Sequence, residues 1–443
     1  MPSPADGEET GDADPTPYHL RVVRPGAGGG WTEEQSDEGR RRPEGPGPGR
    51  AKRAPIILAF GGLILIGLGA GATGVLVPYQ LADYRVSKVL LGVMFFAFSG
   101  GYVLSGLANG ALIRWLGTRG QLTLGAAVYL VTALGIGLHP SFPMLLAASL
   151  VFGFGTGILD AGLNAYVATL PNHTALLNFL HAFFGIGALL GPLLAGEIVD
   201  HRHLPWQDTY LVLAAVSAPL LVGFALVLPR RAGVAATADH GAPLPLALRR
   251  PEVWLAATFL MLYVGVEVTV GNWSYSLLTL GQGQEGLLAS RVVSGYWLGL
   301  TLGRFLVNAI ASRIGMSLQR MMYGCLAGVI AATLLTWWGP NAAVGALGFG
   351  LIGFFLGPMF PTTIAVTPRL LPARLVATAI GLLVGASVIG GAIFPWLAGA
   401  LAQGLGLRSL LPYLLVLAIL QAVGWWSIAR RLRRPEPVPE SVG

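Results

Sequence analysis

From residue 55 onward the chain alternates long apolar runs with short polar breaks. Each run is long enough for a helix rising 1.5 Å per residue to cross a roughly 30 Å hydrocarbon core. The runs fall near 55–80, 88–116, 120–138, 141–170, 174–199, 207–228, 252–280, 287–314, 317–338, 341–368, 373–402 and 408–429. Gly, Pro or charge marks every break, so the pattern predicts an all-α membrane protein with twelve transmembrane helices.

Composition removes the competing classes. Charged residues make up 11% of the 443, hydrophobic residues 54%, and the mean hydropathy is +0.66. A soluble chain of this length would carry about a quarter charged residues, and no soluble fold hides so much apolar surface. The net charge of +7 does not indicate nucleic acid, because the basic residues are dispersed through the hydrophilic breaks. The single cysteine, Cys325, rules out an intrachain disulfide and lies in an apolar run where packing is its plainest role. Residues 1–53, rich in Gly, Pro, Asp and Glu, bury too little apolar area to offset ordering and read as a disordered tail. The same polar stretch shows no cleavable signal, so the first span is expected to direct its own insertion.

Arginine placement orients the bundle. Alternate breaks carry Arg114 and Arg119, then Arg230, Arg231, Arg249 and Arg250, then Arg313 and Arg320, then Arg369 and Arg374. The opposite breaks hold few. Arg40 to Arg42, Arg50, Lys52 and Arg53 precede the first span, and Arg430, Arg431, Arg433 and Arg434 follow the last. The positive-inside bias therefore predicts two cytoplasmic termini, which an even number of spans requires. A multi-pass protein of the cytoplasmic membrane is expected.

The longest internal break, 229–251, falls after the sixth span, and the two sides resemble each other. Ser99-Gly100-Gly101-Tyr102 in span 2 echoes Ser294-Gly295-Tyr296-Trp297 in span 8, with Arg114 and Arg313 at the following turns. Gly74 to Tyr79 aligns with Gly271 to Ser276. The expected layout is a cytoplasmic tail (1–53), a six-helix half (54–228), a cytoplasmic loop (229–251), a second six-helix half (252–430) and a short tail (431–443). Two such halves are the major facilitator architecture, which places substrate midway between them. Small residues at four-residue spacing, such as Gly153 and Gly157, serve close helix packing or sliding contact.

A charge inside the hydrocarbon costs at least about 2.5–3.5 kcal/mol, so it survives only where it faces protein or water. Asp160 in span 4 and Glu267 in span 7 both reach the middle third of the bilayer. Asn164 and Thr156 share the Asp160 face, and His181 lies at similar depth in span 5. Together they make a polar patch for sugar hydroxyls or a proton, or a network bracing spans 4 and 5. Beyond Glu267 on span 7 come Asn272, Trp273 and Tyr275, which suit pyranose stacking and hydroxyl bonding, or an interfacial aromatic belt. Tyr79 and Gln80 occupy the related position of span 1, with Gln80 at the edge of a loop. Tyr296, Trp297, Asn308 and Trp396 are secondary candidates, for which packing or lipid contact is the plainer reading. Arg304, in the middle of span 8, needs an acid, and Glu267 is its expected partner. Glu197, Asp200, His201 and His203 lack metal-ligand spacing and read as a solvated loop.

Four segments carry a family resemblance: Gly157 to Asn164, Asn178 to Pro192, Tyr263 to Trp273 and Gly357 to Thr362. They resemble the fucose–galactose–glucose proton symporter branch of the major facilitator superfamily, over residues 55–430. The resemblance implies sugar import coupled to protons through carboxylates in the N-terminal half, with Asp160 matching the acidic position of span 4. Span 1 departs from it, since Gly67 to Val77 holds no acid where the bacterial fucose permease carries one. The superfamily's Asp-Arg motif between spans 2 and 3 is likewise reduced to Gly110, Arg114, Gly117 and Arg119.

The expected function is alternating-access transport of a small polar solute, a sugar in the first instance, coupled to a proton or to sodium. Asp160 is the expected proton carrier and Glu267 a substrate ligand or second titrating group. An exporter of drugs, glycolipids or metabolites on the same fold is the alternative. A membrane enzyme would need a nucleophile with a base or a metal set, and the spans offer neither. No cofactor, metal or nucleic acid is expected, and the unit is expected to be a monomer in the lipid bilayer.

Overall fold

A computed structural model describes residues 53–230, 244–339 and 341–432, and every regular element among them is helical. The expectations for the two tails and for most of the central loop fall outside those residues. The helices are α1 (Arg53–Tyr84), α2 (Lys88–Gly137), α3 (Phe142–Ala168), α4 (His173–Gly196), α5 (Gln207–Val227), α6 (Leu244–Leu248) and α7 (Pro251–Ser276). They continue as α8 (Gly286–Arg313), α9 (Leu318–Trp338), α10 (Ala342–Leu356), α11 (Met359–Val366), α12 (Ala373–Leu405) and α13 (Leu410–Leu432). Among the described residues, ten helical segments are long and apolar enough to span a membrane. The 50-residue α2 makes two crossings, and α8, which carries Arg291, Arg304 and Arg313, is long enough but more polar. With α10 and α11 sharing one crossing, twelve result.

Several boundaries differ from the sequence reading, some of them for a plain local reason. Spans 2 and 3 join without a loop, because the chain turns at one residue, Gly117, with φ 67° and ψ 177°. Only a residue without Cβ takes that conformation cheaply. The hairpin is clasped by Gln121, whose Nε2 donates to Asn109 Oδ1. Span 10 is interrupted at Gly357 and Pro358, where the proline supplies no N–H to the helical ladder. Spans 5 and 7 run past their expected ends through single π-helical turns, Glu197–His201 and Leu277–Gly281.

The repeat seen in sequence is also a repeat of packing. In the first six spans α2 meets α3 where a Cβ on Gly101 would strike the Leu150 carbonyl and one on Gly153 the Phe98 carbonyl. In the second six, α8 meets α10 in the same way, with Gly299 against the Gly350 carbonyl and Gly303 against that of Phe354. α1 and α4 touch through Gly67 and Gly191, and α7 and α12 through Gly390 and Gly265. Lipid tails are as apolar as leucine, so such backbone proximity and its dispersion energy hold the helices together. Gly153→Val should therefore cost more than the usual overpacking penalty of about 1–3 kcal/mol, because backbone rather than a side chain blocks it. Detergent-solubilised yield and melting temperature should fall, whereas Gly106→Val, at a position with open space, should change neither.

The bundle has an arginine-rich end, marked by Arg53, Arg114, Arg119, Arg249, Arg313, Arg374 and Arg430, here called the near end. The other is the far end. Contacts between the two sets of six helices gather toward the far end. Gly74 of α1 lies against the Gly271 carbonyl of α7, Gly92 of α2 against Trp396 of α12, and Gly196 of α4 against Ser290 of α8. The Lys88 amide donates to Gln403 Oε1 across the same end at 2.9 Å. Toward the near end, Gly100 and Gly106 of α2 and Gly381 and Gly385 of α12 have open space where a Cβ would stand. The halves are drawn together at the far end.

Candidate functional site

Asp160 stands about two turns before the near end of α3. Its Oδ2 accepts the Tyr102 hydroxyl from α2, and its Oδ1 accepts Asn164 Nδ2 at 3.0 Å. The same Nδ2 donates to the Asp160 carbonyl at 2.9 Å, so Asn164 is tied back on its own helix, as four-residue spacing allows. Thr156, one turn away, is buried and bonded to the Phe152 carbonyl, which removes it from the polar face.

On the opposite side Arg304 Nη2 of α8 lies 3.3 Å from Glu267 Oε1 of α7, with the two side chains 23% and 12% exposed. The partner expected for Arg304 is the partner it has. A single long contact leaves the remaining guanidinium donors uncommitted by this carboxylate. Tyr296 donates its hydroxyl to the Glu267 carbonyl at 2.9 Å, and Tyr263 is buried beside the pair.

His181 lies within electrostatic reach of both groups. Gly185 of α4 packs on Thr301 of α8, and the helices run in opposite directions. One turn toward the near end on each therefore brings His181 level with Arg304. His181 is solvent-accessible and within electrostatic reach of both Asp160 and Arg304. Two carboxyls, an imidazole, an amide and a guanidinium thus converge at mid-depth, drawn from both sets of helices. The group offers hydrogen-bond donors, acceptors and two carboxyls at one level.

The other candidates lie elsewhere. Tyr275 is eight residues beyond Glu267, about 12 Å along the helix. Its hydroxyl and that of Tyr79 reach the same Asp200 Oδ1, at 2.6 and 2.5 Å, and the two hydroxyls are 3.3 Å apart. Trp273 is fully buried, donates to the Pro395 carbonyl at 2.8 Å and meets Phe95 edge to face. It braces α7 against α12 and α2. Asn272 is buried at the Gly74 approach, and Gln80 is helical and buried beside Tyr210 of α5, inside the first six spans. These five residues build or back the far-end closure and are not brought together with Asp160. Of the secondary candidates, Tyr296 belongs to the Glu267 group, Trp297 is buried, Trp396 packs on Phe96 and Gly92, and Asn308 is exposed.

Two participants escaped the sequence reading. Tyr102 was visible only as part of a repeated motif. Asp200, read as loop, lies on the π-helical turn that prolongs α4, and it continues the four-residue progression Ala188, Pro192 and Gly196, whose first two members meet Gly67 and Gly71 of α1 and whose last meets Ser290 of α8. That four-residue progression was the available signal. Removing one of its two donors with Tyr275→Phe should loosen the closure. A hydrogen bond to a charged group contributes about 1.5–3 kcal/mol, so the far-open population should rise roughly tenfold or more. Distances between spin labels at the far ends of α1 and α7 would report it.

The sequence profile of the Major Facilitator Superfamily matches residues 59–351, more than half of the chain and all of the mid-depth group. The chain belongs to the Major Facilitator Superfamily. It is accordingly a multi-pass membrane transporter and not an enzyme. Bypass of stop codon protein 6 of Saccharomyces cerevisiae is 26% identical, over 78% of this chain and 76% of that one. The glucose/mannose transporter GlcP of Bacillus subtilis is 23% identical, over 78% and 88%. A bacterial homologue of the human lysosomal transporter Spinster, solved in an inward-facing and unoccupied conformation, superposes with a TM-score of 0.71 at 15% identity, over 88% of this chain and all of that one. The superfamily fold also gives the reduced motif its context: Gly117 makes the hairpin turn, and Arg119 Nε donates to the Leu228 carbonyl at 2.6 Å.

Proposed function

We propose that the chain is a secondary active transporter of the cytoplasmic membrane that moves a sugar or similar polyhydroxylated solute together with a proton. The near end faces the cytoplasm, in keeping with its arginines. The observation that carries the reading is the mid-depth group itself. Asp160 with Tyr102 and Asn164 on one side, and Glu267 with Arg304 on the other, lie at one level with His181 in electrostatic reach of both, below a closed far end. Asp160 takes up and releases the proton. Asn164, His181 and Glu267 bond the solute hydroxyls, and solute competes with Arg304 for the Glu267 carboxylate. Tyr79, Tyr275 and Trp273 meet solute only when the far end opens, with Asn272 behind them, and Gln80 supports α1 from within its own half.

Alternating access then follows from the two sets of helices rocking about this level. A glucose/mannose transporter among the relatives supports the solute class. The test is counterflow in proteoliposomes with labelled hexoses and pentoses, run with a pH gradient, with a sodium gradient and with neither. Saturable exchange of at least one sugar, accelerated by an inward proton gradient alone, is the expected result. Exchange of no sugar on the panel would overturn the solute class, and acceleration by sodium instead would overturn the coupling ion.

A further inference from the structure

Away from the mid-depth group, the near end of the first six spans carries a surface groove of about 750 Å³. Its walls are the two arms of the α2 hairpin and the last turns of α5, with Trp115, Leu116, Leu124 and Ala225 presenting apolar surface. Arg119 and Arg230 stand at its mouth. We propose that this groove binds one anionic diacyl phospholipid, its phosphate between the two arginines and an acyl chain along the apolar wall.

Three observations support a lipid occupant. The first is charge: Arg119, which lines the groove, donates its Nε to the Leu228 carbonyl, and that bond holds its guanidinium there. Arg230, two residues beyond Leu228, is exposed at the same rim. The second is Thr123. Its hydroxyl is buried in the groove wall without a protein partner, as are those of Thr209 and Thr269 elsewhere in the bundle. A phosphate or ester oxygen would supply its acceptor. The third is depth. Trp115 is 78% exposed at the end of a crossing, the level at which indole rings sit among lipid headgroups. The second arm of α2 also begins here, and the positive end of its dipole favours an anion at this rim.

The proposal is independent of what the transporter carries. Its test is native mass spectrometry of the full chain in detergent, with equimolar phosphatidylglycerol and phosphatidylcholine of identical acyl chains. Phosphatidylglycerol should be retained preferentially. Arg230→Gln, at an exposed residue outside the helices, should lower that preference about fivefold, the effect of one basic residue at an anionic surface. Arg320→Gln, at the same end but outside the groove, should leave it unchanged. Equal retention of the two lipids would overturn the proposal, the groove then being filled by neutral lipid or by the chain's own segment 231–243. So would full retention by Arg230→Gln, or displacement of phosphatidylglycerol by an equal concentration of glycerol phosphate, which would make the site a reader of soluble phosphate.

Discussion

Asp160→Asn is expected to abolish solute accumulation driven by a pH gradient while leaving counterflow at equal pH largely intact. The substitution is nearly isosteric. An amide oxygen still accepts the Tyr102 hydroxyl, and the four-residue tie to Asn164 can re-form, so the local packing that surrounds the carboxyl is kept. What disappears is a group that can bind and release a proton. Each pH unit is worth about 1.4 kcal/mol per proton, or about tenfold accumulation for a one-proton symporter, and an uncoupled carrier accumulates nothing. The measurement is uptake of the counterflow-active sugar into proteoliposomes at a fixed inward gradient, set against exchange in the same vesicles. Accumulation equal to the wild type would assign Asp160 to bracing α2 against α3. Loss of both accumulation and exchange, with an unchanged melting temperature, would instead make it a solute ligand.

The sequence disclosed the fold because a bilayer imposes a length and an apolarity on every crossing, and both survive in a one-dimensional pattern. It disclosed Asp160, Glu267 and Arg304 for the same reason, since charge at mid-span is costly enough to be conspicuous. Even the Glu267–Arg304 pair could be anticipated, because few counter-charges exist at that depth. The aromatic and amide residues were harder to place. Nothing in a linear pattern distinguishes a tryptophan that stacks on a ligand from one that, like Trp273, bonds the Pro395 carbonyl of a neighbouring helix. Spacing alone sets Tyr275 about 12 Å along α7 from Glu267, but it does not show that Tyr275 meets Asp200 across the halves. Asp200 reads as loop because it lies beyond the apolar run, although four-residue spacing from Gly196 puts it on the same face; its partners Tyr79 and Tyr275 come from helices far away in sequence. In each case the missing information is a contact between helices distant in sequence.

Glu267→Gln is expected to destabilise the protein by about 3 kcal/mol, and Arg304→Gln added to it should restore much of that loss. The Arg304 side chain is 23% exposed and lies beside Tyr263 and Tyr296, neither of which is an acid that could replace the glutamate. Removing the carboxylate charge therefore strands a cation in a poorly hydrated site, which costs more than the pair itself contributes. The partial exposure of both side chains puts the figure at the low end of the range for buried pairs. Removing both charges eliminates the stranded cation, and the remaining deficit reflects the packing of the arginine stem. A double-mutant cycle on melting temperature, with yield after solubilisation as a second reading, measures the coupling. Transport separates the roles, because the double variant should regain stability without regaining counterflow if solute uses the Glu267 carboxylate. Recovery of both would reduce the pair to a structural brace between α7 and α8, and proton and solute would then have to be handled by Asp160, Asn164 and His181 alone.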